Sequence, residues 1–156
     1  MDILLVSDND MCRTRIAEEL LKSFGRGMKI STAALSEGSQ VPEIVSRVME
    51  HNGYEVSRKK PSPLAAYVKQ PWDWVITLSD DAAREAGSLD LKTEHLEHFH
   101  YNDVFASAMA EEERESAIMD LYNRMYNELY EFYRDVLSDL LLPRCTCGAN
   151  SYCRCE

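Results

Sequence analysis

Hydrophobic residues follow two spacings along this chain, one typical of buried strands and one typical of amphipathic helices. Residues 3–6, ILLV, form a short aliphatic run without polar alternation, as expected of a strand buried on both faces of a parallel sheet. From Cys12 onward, apolar residues recur at helical intervals, and Gly25 marks the end of this predicted helix. The chain therefore begins with a strand, a turn and a helix.

Strands and helices continue to alternate along the sequence. The pattern predicts further strands over residues 28–35, 72–80 and 96–101, a helix beginning near Pro42 and a short helix over residues 80–87. A long final helix carries one apolar stripe, formed by Leu121, Met125, Leu129, Phe132, Val136 and Leu140. Four tyrosines flank this stripe, as at the edge of a core: Tyr122, Tyr126, Tyr130 and Tyr133. Right-handed crossovers between such strands predict a three-layer α/β fold, with a four-stranded parallel twisted sheet and helices on both faces. Ligands bind such sheets at the carboxyl ends of the strands.

Length and charge narrow the function further. The 156 residues suit one α/β domain over residues 1–142, followed by a short cysteine-rich tail over 143–156. The net charge of −10 disfavours nucleic acid and anionic membranes as partners, which leaves small molecules and proteins. The amino terminus, MDILLVSD, has too few apolar residues for a secretory signal or a spanning helix, so we expect a cytoplasmic protein.

The turn after the first strand is the best candidate site. Backbone N–H groups in such a turn, together with the exposed donors of the next helix, can bind an oxyanion. Arg13 offers paired donors that match two oxygens of phosphate or arsenate, and Thr14 adds a hydroxyl. The predicted oxyanion-binding residues are Ser7, Asp8, Asn9, Asp10, Met11, Cys12, Arg13 and Thr14.

This turn resembles the active-site loop of the low-molecular-weight protein tyrosine phosphatases and of the thioredoxin-coupled arsenate reductases that share their fold. The loop of that family runs Cys, any residue, Gly, Asn, any residue, Cys, Arg, Ser or Thr, between a strand and a helix. The resemblance covers roughly residues 1 to 140 and places Ser7 at the position of the nucleophile. Within HYNDVF, residues 100–105, it places Asp103 at the position of the general acid. It implies the three-layer fold and no required cofactor.

The departures from that pattern point to lost catalysis. Ser7 replaces the cysteine whose thiolate attacks the substrate, and a serine hydroxyl is a poor nucleophile without a neighbouring base. Ser79 stands where the reductases carry a second redox cysteine, and Val104 replaces the proline that follows the general acid. We therefore expect a catalytically degenerate member that binds an oxyanion or a protein partner, phosphorylated or not, through the loop 7–14.

The two aspartates of the loop affect binding as well. At about 4 Å, a carboxylate and a phosphate charge repel by about 4 kcal/mol at a surface-type dielectric. Asp10 would repel a dianion if it faced the pocket, and Arg13 could instead pair internally with an aspartate, which would make the site structural.

Two alternative functions stay open from the sequence. One is an active phosphatase or arsenate reductase that uses Ser7, or a cysteine delivered by the tail, as its nucleophile. The other is a metal- or redox-responsive regulator built on the two C-x-C pairs of the tail. Four thiolates there could hold zinc, form reversible disulfides or be incidental: Cys145, Cys147, Cys153 and Cys155.

The remaining cysteine and three clustered histidines have simpler interpretations. Cys12 suits a small residue packed at the start of a helix, with a reactive thiol as the alternative. His95, His98 and His100 suit surface or sheet-edge positions, with metal binding as the alternative.

Overall fold

A four-stranded parallel sheet forms the centre of the fold. The computed structural model describes residues 1–9, 11–36, 40–60 and 62–141. The strands are β1 (Asp2–Ser7), β2 (Lys29–Ala34), β3 (Pro71–Thr77) and β4 (Lys92–His98), in the order β2-β1-β3-β4. All three strand pairs are parallel. The run ILLV lies in β1, fully buried, as its lack of polar alternation predicts.

Helices cover both faces of the sheet, which confirms the predicted fold class. They are α1 (Arg13–Phe24), α2 (Glu43–His51), α3 (Asp80–Ser88) and α4 (Glu111–Phe132), with a 3₁₀ turn over Leu64–Tyr67. The larger core joins one face of β1, including Ile3 and Leu5, to α1, α2 and α4. The smaller core joins the opposite face of β1 to α3 and the 3₁₀ turn. Alternate residues of one strand therefore supply both cores.

The fourth strand begins and ends earlier than the sequence pattern predicts. We expected it over residues 96–101, but β4 spans Lys92–His98. The strand lies at the edge of the sheet and is mostly exposed, so its sequence KTEHLEH is polar and gives little strand signal. The apolar residues that suggested a later strand, Phe99 and Tyr101, follow β4 and pack into the core that contains α4. The predicted bounds were wrong because apolar residues that pack into the core after β4 were taken as part of the strand.

The apolar stripe of the last helix shifts by one residue near its end. Leu121, Met125, Leu129 and Phe132 are buried as predicted. A π-helical turn over Tyr133–Leu137 follows α4 and leads into a final helical turn, α5 (Ser138–Leu141). The wider turn accommodates one extra residue, so Leu137 is fully buried while Leu140 is 53% exposed. A regular 3.6-residue period cannot anticipate such an insertion.

The flanking tyrosines divide between the core and the surface. Tyr122 is buried, whereas Tyr126 and Tyr130 are exposed and pack their rings edge-on against Phe24.

In the part of the chain that the structure describes, no helix combines the length and the apolar character needed to cross a membrane. The predicted domain boundary at residue 142 and the four tail cysteines lie outside the described residues.

Candidate oxyanion-binding site

The loop that begins at Ser7 lies at the carboxyl edge of the sheet, between the continuations of the two neighbouring strands. Leu35, just after β2, donates its backbone N–H to the carbonyl of Ser7 at 3.2 Å. On the other side, Leu78, just after β3, donates to the carbonyl of Val6 at 2.9 Å. The parallel register thus holds the loop from both sides, at the position where α/β folds bind ligands.

Ser7 is the last residue of β1 and its side chain is fully buried. Its hydroxyl donates a hydrogen bond to the backbone carbonyl of Asn9. Among the described residues, no imidazole or carboxylate accepts a hydrogen bond from this hydroxyl. A peptide carbonyl cannot take up a proton at neutral pH, so the contact orients the Ser7 hydroxyl without activating it.

Arg13, the first residue of α1, is 2% exposed and makes two polar contacts with described residues. Its Nη1 donates to the carbonyl of Tyr101 at 2.9 Å, and its Nη2 lies 3.4 Å from Oδ2 of Asp8. The internal pairing that the sequence left open is therefore present, and Asp8 is the aspartate involved. The side chain of Asp8 is 35% exposed, so solvent reaches this carboxylate although it hardly reaches the guanidinium.

Ser79 holds the Asp8 carboxylate from the other side. Its hydroxyl donates to Oδ1 of Asp8 at 2.7 Å and accepts from the backbone N–H of Ala82 at 3.2 Å, which makes it the N-cap of α3. From the sequence, the family resemblance indicates Ser79 only as the replacement of a redox cysteine. A serine followed by two aspartates at a helix start is an N-cap signal, but nothing local indicates the bond to Asp8.

Asp103 lies beside the loop, in the segment after β4. Its Oδ2 accepts from Nδ2 of Asn9 at 3.2 Å, and its Oδ1 accepts from the backbone N–H of Phe105 at 2.9 Å. Both oxygens of this carboxylate are therefore engaged in holding the segment to the loop. A general acid needs a carboxyl that faces the leaving group, and here both oxygens face protein donors.

The segment before Asp103 is fixed from the long helix. Tyr101 is 1% exposed and its hydroxyl donates to Glu128 of α4 at 2.6 Å. Burial first, and then the Glu128 carboxylate, raises the pKa of the Tyr101 phenol far above its usual range. Arg124 donates to the carbonyl of His100 at 3.2 Å. The backbone that carries the carbonyl bonded to Arg13 is therefore held by hydrogen bonds to α4, a connection that the sequence does not indicate.

Cys12 precedes Arg13 and is 2% exposed. Burial raises the pKa of its thiol to about 12, and the nearby Arg13 charge offsets only part of this effect. The structure thus places Cys12 as a packed, protonated thiol. Of the other predicted loop residues, Thr14 is buried and Met11 is partly buried, while Asp10 lies outside the described residues.

The clustered histidines have protein partners. His98 Nε2 and His100 Nδ1 lie 3.1 and 3.0 Å from Oδ1 of Asp80, and these contacts lower the pKa of that carboxyl. His95 stacks on Trp74, with ring centroids 4.5 Å apart. Within the described residues, no group of three or more His, Cys, Asp or Glu side chains is arranged to hold a metal ion.

Most of the chain matches the sequence pattern of one known protein family. Residues 2–140 match the family described as low molecular weight phosphotyrosine protein phosphatase. No curated protein sequence matches the chain.

Solved structures share the fold at low identity. A structure of Vibrio vulnificus Wzb in complex with benzylphosphonate is 14% identical, with a TM-score of 0.69 over 86% of this chain and 98% of that one. An arsenate reductase in the oxidized state is 18% identical, with a TM-score of 0.68 over 83% and 94% of the respective chains. A mutant of the YwlE arginine phosphatase with a phosphorylated active site serine is 19% identical, with a TM-score of 0.62 over 87% and 97%.

Proposed function

The chain belongs to the low molecular weight phosphotyrosine protein phosphatase family, and we propose that it is a catalytically degenerate member that acts by binding. The ligand is an oxyanion, carried in the cell by a phosphorylated protein partner, and it binds in the loop 7–14. One observation carries this proposal. The buried Ser7 hydroxyl, at the position that the family resemblance assigns to the nucleophile, hydrogen-bonds within the described residues only to a backbone carbonyl, beside the buried Arg13.

The loss of turnover follows from the partners of Ser7 and Asp103. An alcohol must lose its proton as it attacks phosphorus. Among the described residues, the Ser7 hydroxyl donates only to the Asn9 carbonyl, which is not a base. Asp103, at the position of the acid, already accepts from Asn9 and from the Phe105 backbone. The Ser7 hydroxyl therefore has no general base to take its proton, and the leaving group has no general acid to supply one.

The retention of binding follows from Arg13. Its guanidinium already pairs with an anion, because Oδ2 of the Asp8 carboxylate lies 3.4 Å from Nη2 of Arg13. An incoming phosphate must displace Asp8 from Arg13 and accept the donors in its place. Since Asp8 is partly exposed, it can turn towards solvent, but its bond to Ser79 makes this displacement costly. We therefore expect weak binding of free phosphate in the natural sequence.

Thermal unfolding in phosphate tests the binding. At about 10 mM phosphate we expect a small rise in Tm for the natural protein and a larger rise for Asp8→Asn, because the amide no longer competes as an anion. Arg13→Met should abolish the rise in both backgrounds. The matched control is Asp139→Asn, an exposed aspartate in α5 that undergoes the same change of charge. Equal rises for Asp8→Asn and Asp139→Asn would contradict the proposal.

Hydrolysis of an aryl phosphate tests the loss of catalysis. We expect a flat baseline for the natural protein. Ser7→Cys should restore slow turnover if only the nucleophile has been lost, and none if the engaged Asp8 and Asp103 also block the reaction. Turnover by the natural protein that disappears in Arg13→Met would overturn the degenerate assignment.

A second candidate function is slow transfer of a phosphoryl group onto Ser7. It is favoured by the likeness to the YwlE arginine phosphatase mutant, whose active site serine is phosphorylated. Mass spectrometry of the protein after incubation with an aryl phosphate distinguishes the two candidates. A binding protein stays unmodified, whereas phosphoserine at position 7 that is absent from Arg13→Met would establish phosphoryl transfer.

A further inference from the structure

Residues 58–60 contrast with the acidity of the whole chain. Arg58, Lys59 and Lys60 are consecutive, and nowhere else in the sequence are two basic residues adjacent. All three are exposed. The chain as a whole carries 27 acidic and 17 basic residues, so this is a local concentration of positive charge on a negative molecule.

Backbone contacts place this basic segment beside the loop. Just beyond it, the carbonyl of Ser62 accepts from the N–H of Ala34 at 2.9 Å, and Pro63 pairs with Ala34 in a parallel bridge. Ala34 is the last residue of β2 and is the register partner of Ser7. The basic segment therefore reaches the same edge of the sheet as the loop, one strand away from it.

A buried arginine attaches the basic segment to α1. Arg15 is 1% exposed, and its Nη2 donates to the backbone carbonyl of Lys59 at 2.6 Å. Burial of a guanidinium has a desolvation cost of several kcal/mol, which its contacts must offset. Arg15 follows Arg13 by two residues in α1, so one helix turn fixes both the loop arginine and the backbone of the basic segment.

The three basic side chains differ in their surroundings. Arg58 lines a cleft together with Glu19, Glu50 and Glu55, so carboxylates surround its charge. Lys59 and Lys60 have no ion pair with any residue in the described ranges of the chain. These two exposed lysines, on a segment that reaches the same end of the sheet as the loop, therefore carry charges that no described carboxylate neutralises.

We propose that Lys59 and Lys60 bind acidic residues of a protein partner, next to the phosphorylated residue that enters the loop. This inference rests on the proposed function and narrows its ligand to an acidic phosphopeptide. Nucleic acids and anionic membranes fit less well, because the net charge of −10 repels an extended polyanion while two lysines can pair with two or three carboxylates.

Fluorescence anisotropy with a labelled phosphotyrosine peptide provides the test. One version carries glutamates on both sides of the phosphotyrosine, and the other carries glutamines. We expect the natural protein to bind the glutamate version about tenfold more tightly, with a preference that falls as salt is added. The double variant Lys59→Glu with Lys60→Glu should lose this preference.

The matched control reverses two other exposed lysines. Lys29 and Lys92 are the first residues of β2 and β4, at the amino-terminal ends of the strands and away from the loop. The variant Lys29→Glu with Lys92→Glu makes the same change in net charge. If both double variants lose the preference equally, total charge is responsible and the proposal is wrong. It is equally wrong if the natural protein does not distinguish the peptides, or if anionic vesicles or RNA bind more tightly through Lys59 and Lys60.

The phosphate experiment separates the two proposals. If Asp8→Asn responds to phosphate but the peptides are not distinguished, the loop binds an oxyanion and only the lysine assignment fails. If the glutamate preference depends on Lys59 and Lys60 but neither phosphate nor the phosphoryl group matters, the acidic docking stands and the loop proposal fails.

Discussion

Arg13 and Arg15 begin the same helix and are both almost fully buried, yet they serve two different regions of the molecule. Arg13 faces the loop, where it contacts the Tyr101 carbonyl and Asp8. Arg15 faces the basic segment, where it contacts the Lys59 carbonyl at 2.6 Å and approaches Glu18 at 3.9 Å. Residues two apart in a helix point in roughly opposite directions, so each arginine meets different neighbours.

The carboxylates that pair with the two arginines differ in exposure, and this difference decides which of the two contacts a ligand can replace. Asp8 is 35% exposed and can leave Arg13 for solvent. Asp8 also gives up the bond from Ser79 when it leaves, but water can reach its oxygens. Glu18 is 8% exposed and pairs with Lys22 at 2.8 Å, so little water can replace its two cationic partners. A buried arginine is thus suited to ligand binding only where its internal anion can be exchanged.

The largest predicted effect comes from Arg15→Met. The substitution keeps much of the apolar volume, but it leaves the Lys59 carbonyl without this donor and removes one of the two cations beside Glu18. We expect the free energy of unfolding to fall by about 3 kcal/mol, measured by urea denaturation. Arg84→Met, which removes an exposed arginine of α3, is the control and should change it by less than about 0.5 kcal/mol. Equal losses would show that burial of Arg15 contributes nothing.

Arg13→Met should destabilise the protein less. Asp8 keeps its bond from Ser79 and is partly hydrated, so the main loss is the bond to the Tyr101 carbonyl. We expect a decrease of about 1 to 2 kcal/mol in the same denaturation experiment. A loss as large as that of Arg15→Met would mean that the Asp8 contact is structural, which would weaken the case for an exchangeable site.

A smaller effect is expected for Ser79→Ala. The α3 helix loses its N-cap and Asp8 loses a donor, for a total of about 1 kcal/mol. With Asp8 held less firmly, phosphate should raise the Tm more than it does in the natural protein. Ser79→Thr keeps a hydroxyl at the same position and should behave like the natural protein in both measurements. A phosphate response that is unchanged in Ser79→Ala would show that Ser79 does not restrain Asp8.

The smallest effect concerns Cys12, next to Arg13. Because burial outweighs the arginine charge, the raised pKa keeps the thiol protonated, and iodoacetamide should not modify it in the folded protein at pH 8. Since the folded pKa of about 12 exceeds the ordinary value of 9.0, this group leaves stability unchanged below pH 9 and lowers it as the pH rises towards 12. The four tail cysteines are replaced by serine for this experiment, and urea-unfolded protein is the positive control. Rapid alkylation of the folded protein would contradict the buried placement.

The spacing of hydrophobic residues is sufficient to predict the local architecture. The run ILLV, the loop from Ser7 to Thr14 and the helix after it are contiguous, so their order and the position of Arg13 at the helix start follow from spacing and burial alone. The sequence also predicts that the Ser7 hydroxyl stands where the family carries its reactive sulfur, and this stays a prediction. Hydrophobic periodicity is a short-range property, and for this reason the strands with buried faces were predicted well while the polar edge strand β4 was misplaced.

The groups that surround Arg13 and Arg15 depend on contacts between distant parts of the chain. Asp8 and Ser79 are 71 residues apart in the chain, and Arg13 and Tyr101 are 88 apart. Such pairs meet because parallel strands bring their carboxyl ends to one edge of the sheet, and each buried donor there must take whichever acceptor that edge supplies. The one-residue shift at the π-helical turn has a similar origin, since the burial of Leu137 depends on packing against the rest of the core. The sequence shows where the charged residues are in the chain. Their partners depend on which polar groups are buried together once the sheet has formed.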